Sequence, residues 1–270
     1  MQIVVIRLKQ SVIRRNLFMN GGNKNPSVWS KKSTGVFLLV LGCLLILSVI
    51  LRVSFYRFEY NEKFTAVDYG RFNYFSYFTV QSNTAAAVYC ILAALSVFGV
   101  KSLKRVQNPA VGLFITTYVI IAGVVNCSGF PMGLTPPLVW DTAYHRLLNS
   151  TQVLHHMVNP VALLVFWLRQ GSEPAVPKRV LPAVGIYPFV YSVFCIIRGA
   201  LFKPVFYAYP FYNPHFILDV IAKNKDVGLI WGYVTMLPLL VFGISVFIAM
   251  AAVLLAVHNR QTKDDKRGKR

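Results

Sequence analysis

Six long apolar segments alternate with more polar segments along this 270-residue chain. They lie near residues 35–56, 74–100, 109–127, 150–168, 180–202 and 229–257. Each reaches, or comes within a residue or two of, the roughly 20 residues that a helix needs to cross the hydrocarbon of a bilayer. Pro160, Pro188 and Pro238 fall inside the segments, where membrane helices tolerate prolines and often kink. The pattern predicts an all-α membrane protein, a bundle of six transmembrane helices.

The head of the second segment breaks the apolar pattern. Residues 74–84 read YFSYFTVQSNT, and on a helix Ser76, Thr79, Ser82 and Asn83 share one face. A polar stripe in a spanning helix must face a partner helix or a water-filled cavity, because hydrocarbon offers it no hydrogen bonds. We interpret this face as one wall of a buried polar site.

Composition strengthens the membrane assignment. The chain is 56% hydrophobic and only 14% charged, against roughly a quarter charged in ordinary soluble domains. Its net charge of +19 would also suit a nucleic-acid-binding protein. Because membrane proteins collect basic residues in cytoplasmic loops and tails, we predict no nucleic-acid partner.

The distribution of basic residues predicts the orientation. With the N-terminus in the cytoplasm, the inner segments hold 19 of the 28 Lys and Arg residues and the outer segments hold seven. This excess follows the positive-inside rule, so we predict that both termini are cytoplasmic and that the protein crosses the cell membrane. The predicted organisation is a basic tail over residues 1–34, a six-helix domain over 35–257 and a basic tail over 258–270.

Two outer segments, 57–73 and 203–227, are rich in Tyr and Phe. Aromatic rings prefer the membrane–water interface. We therefore expect these segments to lie back over the outer leaflet. A more specific hypothesis is that they form a lid over the site.

The fourth span carries polar residues at the predicted depth of Thr79. Gln152, His155 and Asn159 share one helical face, and His156 lies within a turn of both amides. Taken singly, these groups have simpler explanations: a hydroxyl can bond its own backbone, and an imidazole can join two helices. The shared depth favours a site, because ionisable groups within spans are costly and usually functional.

Other spans add polar groups near their outer ends. The fifth span brings Tyr191 and Arg198 there, and the third brings Asn126. Arg52 of the first span lies at a similar depth, and we interpret it as extending to the lipid headgroups. A hydroxyl of the second span beside an imidazole of the fourth would meet the minimum requirement for nucleophilic catalysis.

The same residues argue against metal chemistry. His155 and His156 are adjacent, so on a helix they point about 100° apart and are poor joint ligands, and we predict no metal. Nucleophilic hydrolysis needs no cofactor either. The candidate substrate-binding residues, which could stabilise an oxyanion, orient the imidazole or bind a carboxylate, are Ser82, Asn83, Asn159, Tyr191 and Arg198.

Three motifs resemble a known family: FTVQSN at 78–83, LHHMVNP at 154–160, and the run from YPFVY to YAYPFYN at 187–213. The family contains six-span membrane proteins, among them the androgen-induced gene 1 protein and the androgen-dependent TFPI-regulating protein. The chain is most similar to its uncharacterised bacterial members. The animal members are described as threonine hydrolases of fatty acid esters of hydroxy fatty acids.

The resemblance implies roles for particular residues. Thr79 matches the family threonine and would be the nucleophile. His155, five residues before Pro160, matches the family histidine and would be the base, whereas a spacing of four in some bacterial members points to His156. The chain departs from the family at Asn213, where an acidic residue is common, so the resemblance implies no acidic role there.

These observations lead to one main hypothesis and one from another class. The main hypothesis is an intramembrane hydrolase of lipid (fatty-acyl) esters near the outer leaflet, with membrane lipid and a lipid-like ester as its partners. The alternative is a transporter or lipid-binding protein that uses the same polar cluster without catalysis. The oligomeric state is left open by the sequence.

Overall fold

A computed structural model describes residues 31–60, 67–170, 174–202, 205–219 and 228–267, and describes side chains of the last helix as far as residue 262. In these ranges all regular structure is helical. The α-helices are α1 Lys32–Ser54, α2 Phe78–Val97, α3 Pro109–Gly129, α4 Ala143–Val153, α5 Asn159–Leu168, α6 Leu181–Val184, α7 Ile186–Leu201, α8 Pro214–Ile217 and α9 Leu229–Arg267. Residues 1–30 of the predicted N-terminal tail and 268–270 of the C-terminal tail lie outside the described ranges.

Within the described ranges, six helical stretches are long and apolar enough to cross a membrane. They are Lys32–Ser54, Phe78–Val97, Pro109–Gly129, Ala143–Leu168, Lys178–Leu201 and Leu229–Thr262. The predicted all-α bundle of six spans is therefore confirmed, and the chain is a multi-pass membrane protein. Large apolar side chains such as Leu44 and Ile50 are exposed on the outside of the bundle, as contact with lipid requires.

The fourth and sixth spans are longer than predicted. The fourth begins at Ala143 rather than near residue 150, because its first turns are polar and hydropathy does not detect them. Thr142 caps this helix by accepting a hydrogen bond from the His145 backbone N–H at 3.0 Å. Helix α9 continues to Arg267 through part of the predicted C-terminal tail, and His258 is buried against the Trp167 ring, 4.9 Å between ring centroids.

Close helix packing fixes the positions of the first three spans. Helix α1 packs along α2, and α2 packs on α3. A Cβ atom on Gly42 of α1 would lie 3.0 Å from the Ala87 carbonyl oxygen of α2, so the two backbones approach as only small residues allow. We name the end of the bundle at Ser54, Phe78 and Gly129 the upper end, which is extracytoplasmic in the predicted topology, and the opposite end the lower end.

The fourth span contains a π-helical turn, Leu154–Val158, between α4 and α5. Pro160 follows this turn. A proline has no N–H to donate and its ring clashes with the carbonyl four residues earlier, which here belongs to His156, and a wider turn relieves both problems. Single π turns of this kind are frequent at functional sites, and this one carries both histidines.

Aromatic residues of segment 205–212 cover the upper end. We call Phe206, Tyr209 and Tyr212 the aromatic cover. Tyr77, at the head of α2, lies with its ring centroid 5.7 Å from that of Phe206 and 6.2 Å from that of Tyr209. The ring centroid of buried Tyr191 in α7 lies 6.1 Å from that of Tyr212. The described part of this outer segment thus lies back over the bundle, the arrangement expected of an interfacial lid.

Candidate functional site

A buried hydroxyl–imidazole pair joins the first and fourth spans. Ser48 of α1 is 5% exposed and His155 is 2% exposed. The Ser48 Oγ and His155 Nε2 atoms are 2.7 Å apart, a good hydrogen-bonding distance. Because α1 and α4 run in opposite directions, Arg52, one turn nearer the upper end, lies beside the earlier part of α4.

The pair has two arrangements of its protons. The Ser48 Oγ atom also lies 2.7 Å from the Leu45 carbonyl oxygen, and a hydroxyl has only one proton to donate. When Ser48 donates to Leu45, the His155 Nε2–H donates to Ser48. When the hydroxyl turns to Nε2, the ring carries its proton on Nδ1, which faces the Tyr74 hydroxyl at a long 3.5 Å.

Arg52 faces inward above this pair. Its Nη1 donates to the Leu148 carbonyl oxygen and to the Thr151 hydroxyl, both at 3.0 Å. Its guanidinium carbon also lies 5.1 Å from the centroid of the Tyr74 ring, in cation–π range. The interpretation that Arg52 extends to the headgroups is therefore wrong, since α4 and Tyr74 offer it closer partners.

Tyr74 is a neutral phenol in this setting. Burial raises its pKa, and the positive charge of Arg52 acts in the opposite direction. A phenol that keeps its proton can accept a hydrogen bond from His155 or donate one to it, so it suits either arrangement of the Ser48–His155 pair.

A second buried contact aligns the second and fourth spans. Asn159 Nδ2 donates to Asn83 Oδ1 at 2.6 Å, and both side chains are fully buried. Both spans run from the upper to the lower end. Thr79 and His155 each precede one of these asparagines by four residues, so they lie at one level on neighbouring helices, as predicted from depth.

Thr79 nevertheless points to a different environment. Tyr209 of the aromatic cover interacts with its hydroxyl and its backbone, while its carbonyl oxygen accepts from Asn83 Nδ2 at 2.9 Å and from Ser82 Oγ at 3.1 Å. Burial raises the pKa of Tyr209, and the interaction with Thr79 acts against this rise. Within the described ranges, no hydrogen bond joins Thr79 to either histidine.

The two histidines face different spans. His156 Nδ1 lies 3.2 Å from the Ala122 carbonyl oxygen of α3, whereas His155 faces α1. Among the described residues, no group of three or more His, Cys, Asp or Glu side chains is placed to hold a metal ion. The base proposed from the family resemblance, His155, is thus the histidine that contacts a hydroxyl, and His156 is bound to backbone.

The remaining predicted residues lie beneath the aromatic cover. Tyr191 donates to the Ser76 carbonyl oxygen at 2.8 Å and so fixes the head of α2. Arg198, at the upper end of α7, has its guanidinium carbon 5.7 Å from the Phe206 ring centroid. The predicted site therefore divides into a network around His155, Asn83 and Asn159, and a region under the cover that contains Thr79, Tyr191 and Arg198.

Sequence reasoning missed Ser48, the residue that contacts His155. A signal for it exists: Ser48 and Arg52 are four residues apart in an otherwise apolar helix, so they share one face. Comparison with known proteins adds no relative, because no family model, curated protein or solved structure matches the chain.

Proposed function

We propose that this membrane protein hydrolyses fatty-acyl esters inside the cell membrane, with His155 as the general base. The observation that carries the proposal is the 2.7 Å contact between His155 Nε2 and the Ser48 hydroxyl. An unactivated hydroxyl is a weak nucleophile and needs a base within hydrogen-bond reach. The resemblance of the 78–83 and 154–160 motifs to lipid-ester hydrolases supports the same chemistry.

The reaction can be written with the residues in contact. Ser48 Oγ attacks the ester carbonyl carbon as its proton passes to His155 Nε2. His155 then gives this proton to the departing alcohol oxygen, and an acyl–Ser48 ester remains. Water attacks that ester, losing a proton to Nε2, and the proton returns to Ser48 Oγ as the fatty acid leaves. The net change is one ester and one water converted to one acid and one alcohol.

Two further residues fit steps of this reaction. Arg52 shares a helical face with Ser48, and a guanidinium has several N–H donors that can stabilise an oxyanion. Asn159 Oδ1 is buried without a hydrogen-bond partner among the described residues, and buried polar atoms of this kind usually bind water. We assign it to the hydrolytic water, one turn below His155.

Thr79 is the second hydroxyl available to this base. It lies at the level of His155 on the neighbouring helix, and it would reach the imidazole only after leaving Tyr209. The region under the aromatic cover then suits the polar part of the substrate, with Arg198 binding a carboxylate while the acyl chain stays in lipid. The location of the ester bond therefore decides between Ser48 and Thr79.

Labelling with a fluorophosphonate, which traps activated hydroxyls, tests the proposal. The full-length protein in membranes is compared with Ser48→Ala, Thr79→Ala and His155→Ala. We expect the labelling rate to fall at least about a hundredfold in His155→Ala and labelling to vanish in Ser48→Ala. His156→Ala is the matched control, because it removes the neighbouring imidazole that faces α3, and it should label normally.

Other outcomes have defined meanings. Labelling that is lost in Thr79→Ala and kept in Ser48→Ala assigns the nucleophile to Thr79. A folded wild-type protein that does not label overturns the hydrolase and favours the lipid-binding or transport alternative. Size-exclusion elution and thermal unfolding establish that each variant is folded.

A further inference from the structure

A groove of about 420 Å³ runs along the lower part of α9. One wall is a face of α9 made by Ala252, Leu255 and Ala256, and the other is formed by Ala175 and Leu181. The small side chains at positions 252 and 256, which are four residues apart and share a helical face, leave this volume open. These walls are apolar, so the groove suits a hydrocarbon chain.

The walls of the groove are held in place by hydrogen bonds. The Asn259 side chain accepts from the Val176 N–H at 3.0 Å and donates to the Val176 carbonyl oxygen at 2.9 Å. The neighbouring residue His258 has its Nε2 atom 3.1 Å from the Pro174 carbonyl oxygen. These contacts attach the segment before α6 to α9, so the groove is formed without a ligand.

The lower rim of the groove is basic. Lys178 projects from one wall and Arg260 from the other, and both are exposed. The described lining contains no acidic residue. Two cations at the end of an apolar groove complement a molecule with one apolar chain and an anionic head.

We propose that this groove binds one anionic phospholipid. Its phosphate lies between Lys178 and Arg260, and one acyl chain lies over Ala252 and Ala256. An apolar chain alone would leave the two cations unmatched among the described lining residues, and a free anion would leave the groove unfilled. Basic pockets beside membrane helices bind anionic lipids through this combination of contacts. The site is remote from the Ser48–His155 pair and does not depend on the proposed hydrolase activity.

Lipid retention by the purified full-length protein tests this site. Native mass spectrometry and thermal unfolding compare phosphatidylglycerol with phosphatidylcholine of the same acyl chains. We expect preferential retention of phosphatidylglycerol and a higher unfolding temperature with it. In the double variant Lys178→Gln/Arg260→Gln, its affinity should fall about tenfold or more, since each basic residue contributes to binding an anionic headgroup.

Two further variants separate this site from general charge attraction. Lys104→Gln/Arg105→Gln removes the same charge from exposed positions at the same end of the bundle and should leave phosphatidylglycerol binding unchanged. Ala256→Phe keeps every charge but fills the groove, and it should weaken binding. All five positions are exposed, so these substitutions should not disturb folding.

Several results would overturn the proposal. They are equal loss of binding in the Lys104/Arg105 variant, equal retention of phosphatidylcholine, unchanged binding in Ala256→Phe, and equal stabilisation by inorganic phosphate alone. Equal loss in the Lys104/Arg105 variant would assign binding to general charge attraction. Equal retention of phosphatidylcholine, or unchanged binding in Ala256→Phe, would show that lipid does not bind in this groove. Equal stabilisation by inorganic phosphate would show that the acyl chain does not contribute.

Discussion

At the scale of single residues, the Asn83–Asn159 contact combines full burial with a short hydrogen bond. In Asn83→Ala the Asn159 amide loses its partner in the apolar interior. An unpaired buried polar group costs about 1–3 kcal/mol, and we expect the free energy of unfolding in detergent to fall by this amount. Thr84→Ala is the control, because the Thr84 hydroxyl donates to the Val80 carbonyl oxygen of its own helix at 2.7 Å, and it should change little.

The double variant shows whether the contact itself is responsible. Asn83→Ala/Asn159→Ala removes both amides, so it should cost less than the sum of the single variants. Strict additivity of the two losses would mean that the amides stabilise the bundle independently, and the shared level of Thr79 and His155 would then lack energetic support.

Single residues also show what could be predicted from sequence. Asn83 and Asn159 each belong to a polar stripe, and because both stripes face inward at similar depths their meeting was foreseeable. The Ser48–His155 contact was not. It depends on how α1 is rotated about its axis against α4, and an apolar helix surrounded by lipid gives little information about that rotation. Thr79 is a similar case. Its depth along α2 was predicted, but its interaction with Tyr209 was not.

At the scale of secondary-structure elements, the π-helical turn packs tightly against α3. A Cβ atom added to Gly123 of α3 would lie 2.6 Å from the His156 carbonyl oxygen, which is backbone and cannot move easily. We expect Gly123→Ala to lower the free energy of unfolding by about 1–3 kcal/mol, as overpacking does. Because the turn carries His155, fluorophosphonate labelling should slow as well.

Gly243 provides a matched control for this substitution. It lies in α9, and a Cβ atom there would meet nothing within 4 Å. Gly243→Ala should leave labelling unchanged and leave stability equal or slightly higher, since alanine favours a helix over glycine by up to about 1 kcal/mol. If the two variants unfold alike, close packing at Gly123 contributes nothing to the position of the turn.

Element boundaries were predictable where hydropathy changes sharply. The bounds of the third span, Pro109–Gly129, agree closely with the predicted 109–127. Pro109 begins the helix, and Asn108 caps it by accepting a hydrogen bond from the Ala110 N–H at 2.9 Å. The first turns of α4 were not detected, since AYHRLLNSTQV is amphipathic rather than apolar. Pro160 indicated an irregularity in the fourth span. Its form as a π turn, packed closely against Gly123, could not be predicted from hydropathy.

At the scale of the whole molecule, the two ends of the bundle have different chemistry. Polar side chains of α1, α2 and the fourth span meet towards the upper end, where aromatic rings cover the head of α2. The lower end carries the groove along α9 with Lys178 and Arg260 at its rim. The proposed hydrolase would need its Ser48–His155 pair near one leaflet, and the orientation of the bundle decides which leaflet that is.

The charge distribution predicts that the upper end is outside the cell, and cysteine labelling tests this. Leu134→Cys lies in the exposed loop after α3, and Lys104→Cys lies in the exposed connection between α2 and α3 at the lower end. A membrane-impermeant maleimide should label Leu134→Cys on intact cells and Lys104→Cys only after permeabilisation, with the wild-type cysteines as background. The reverse pattern would contradict the positive-inside assignment. It would leave the Ser48–His155 contact intact, but the substrate of the proposed hydrolase would then have to enter from the cytoplasmic leaflet. The lipid proposed for the α9 groove would then belong to the outer leaflet.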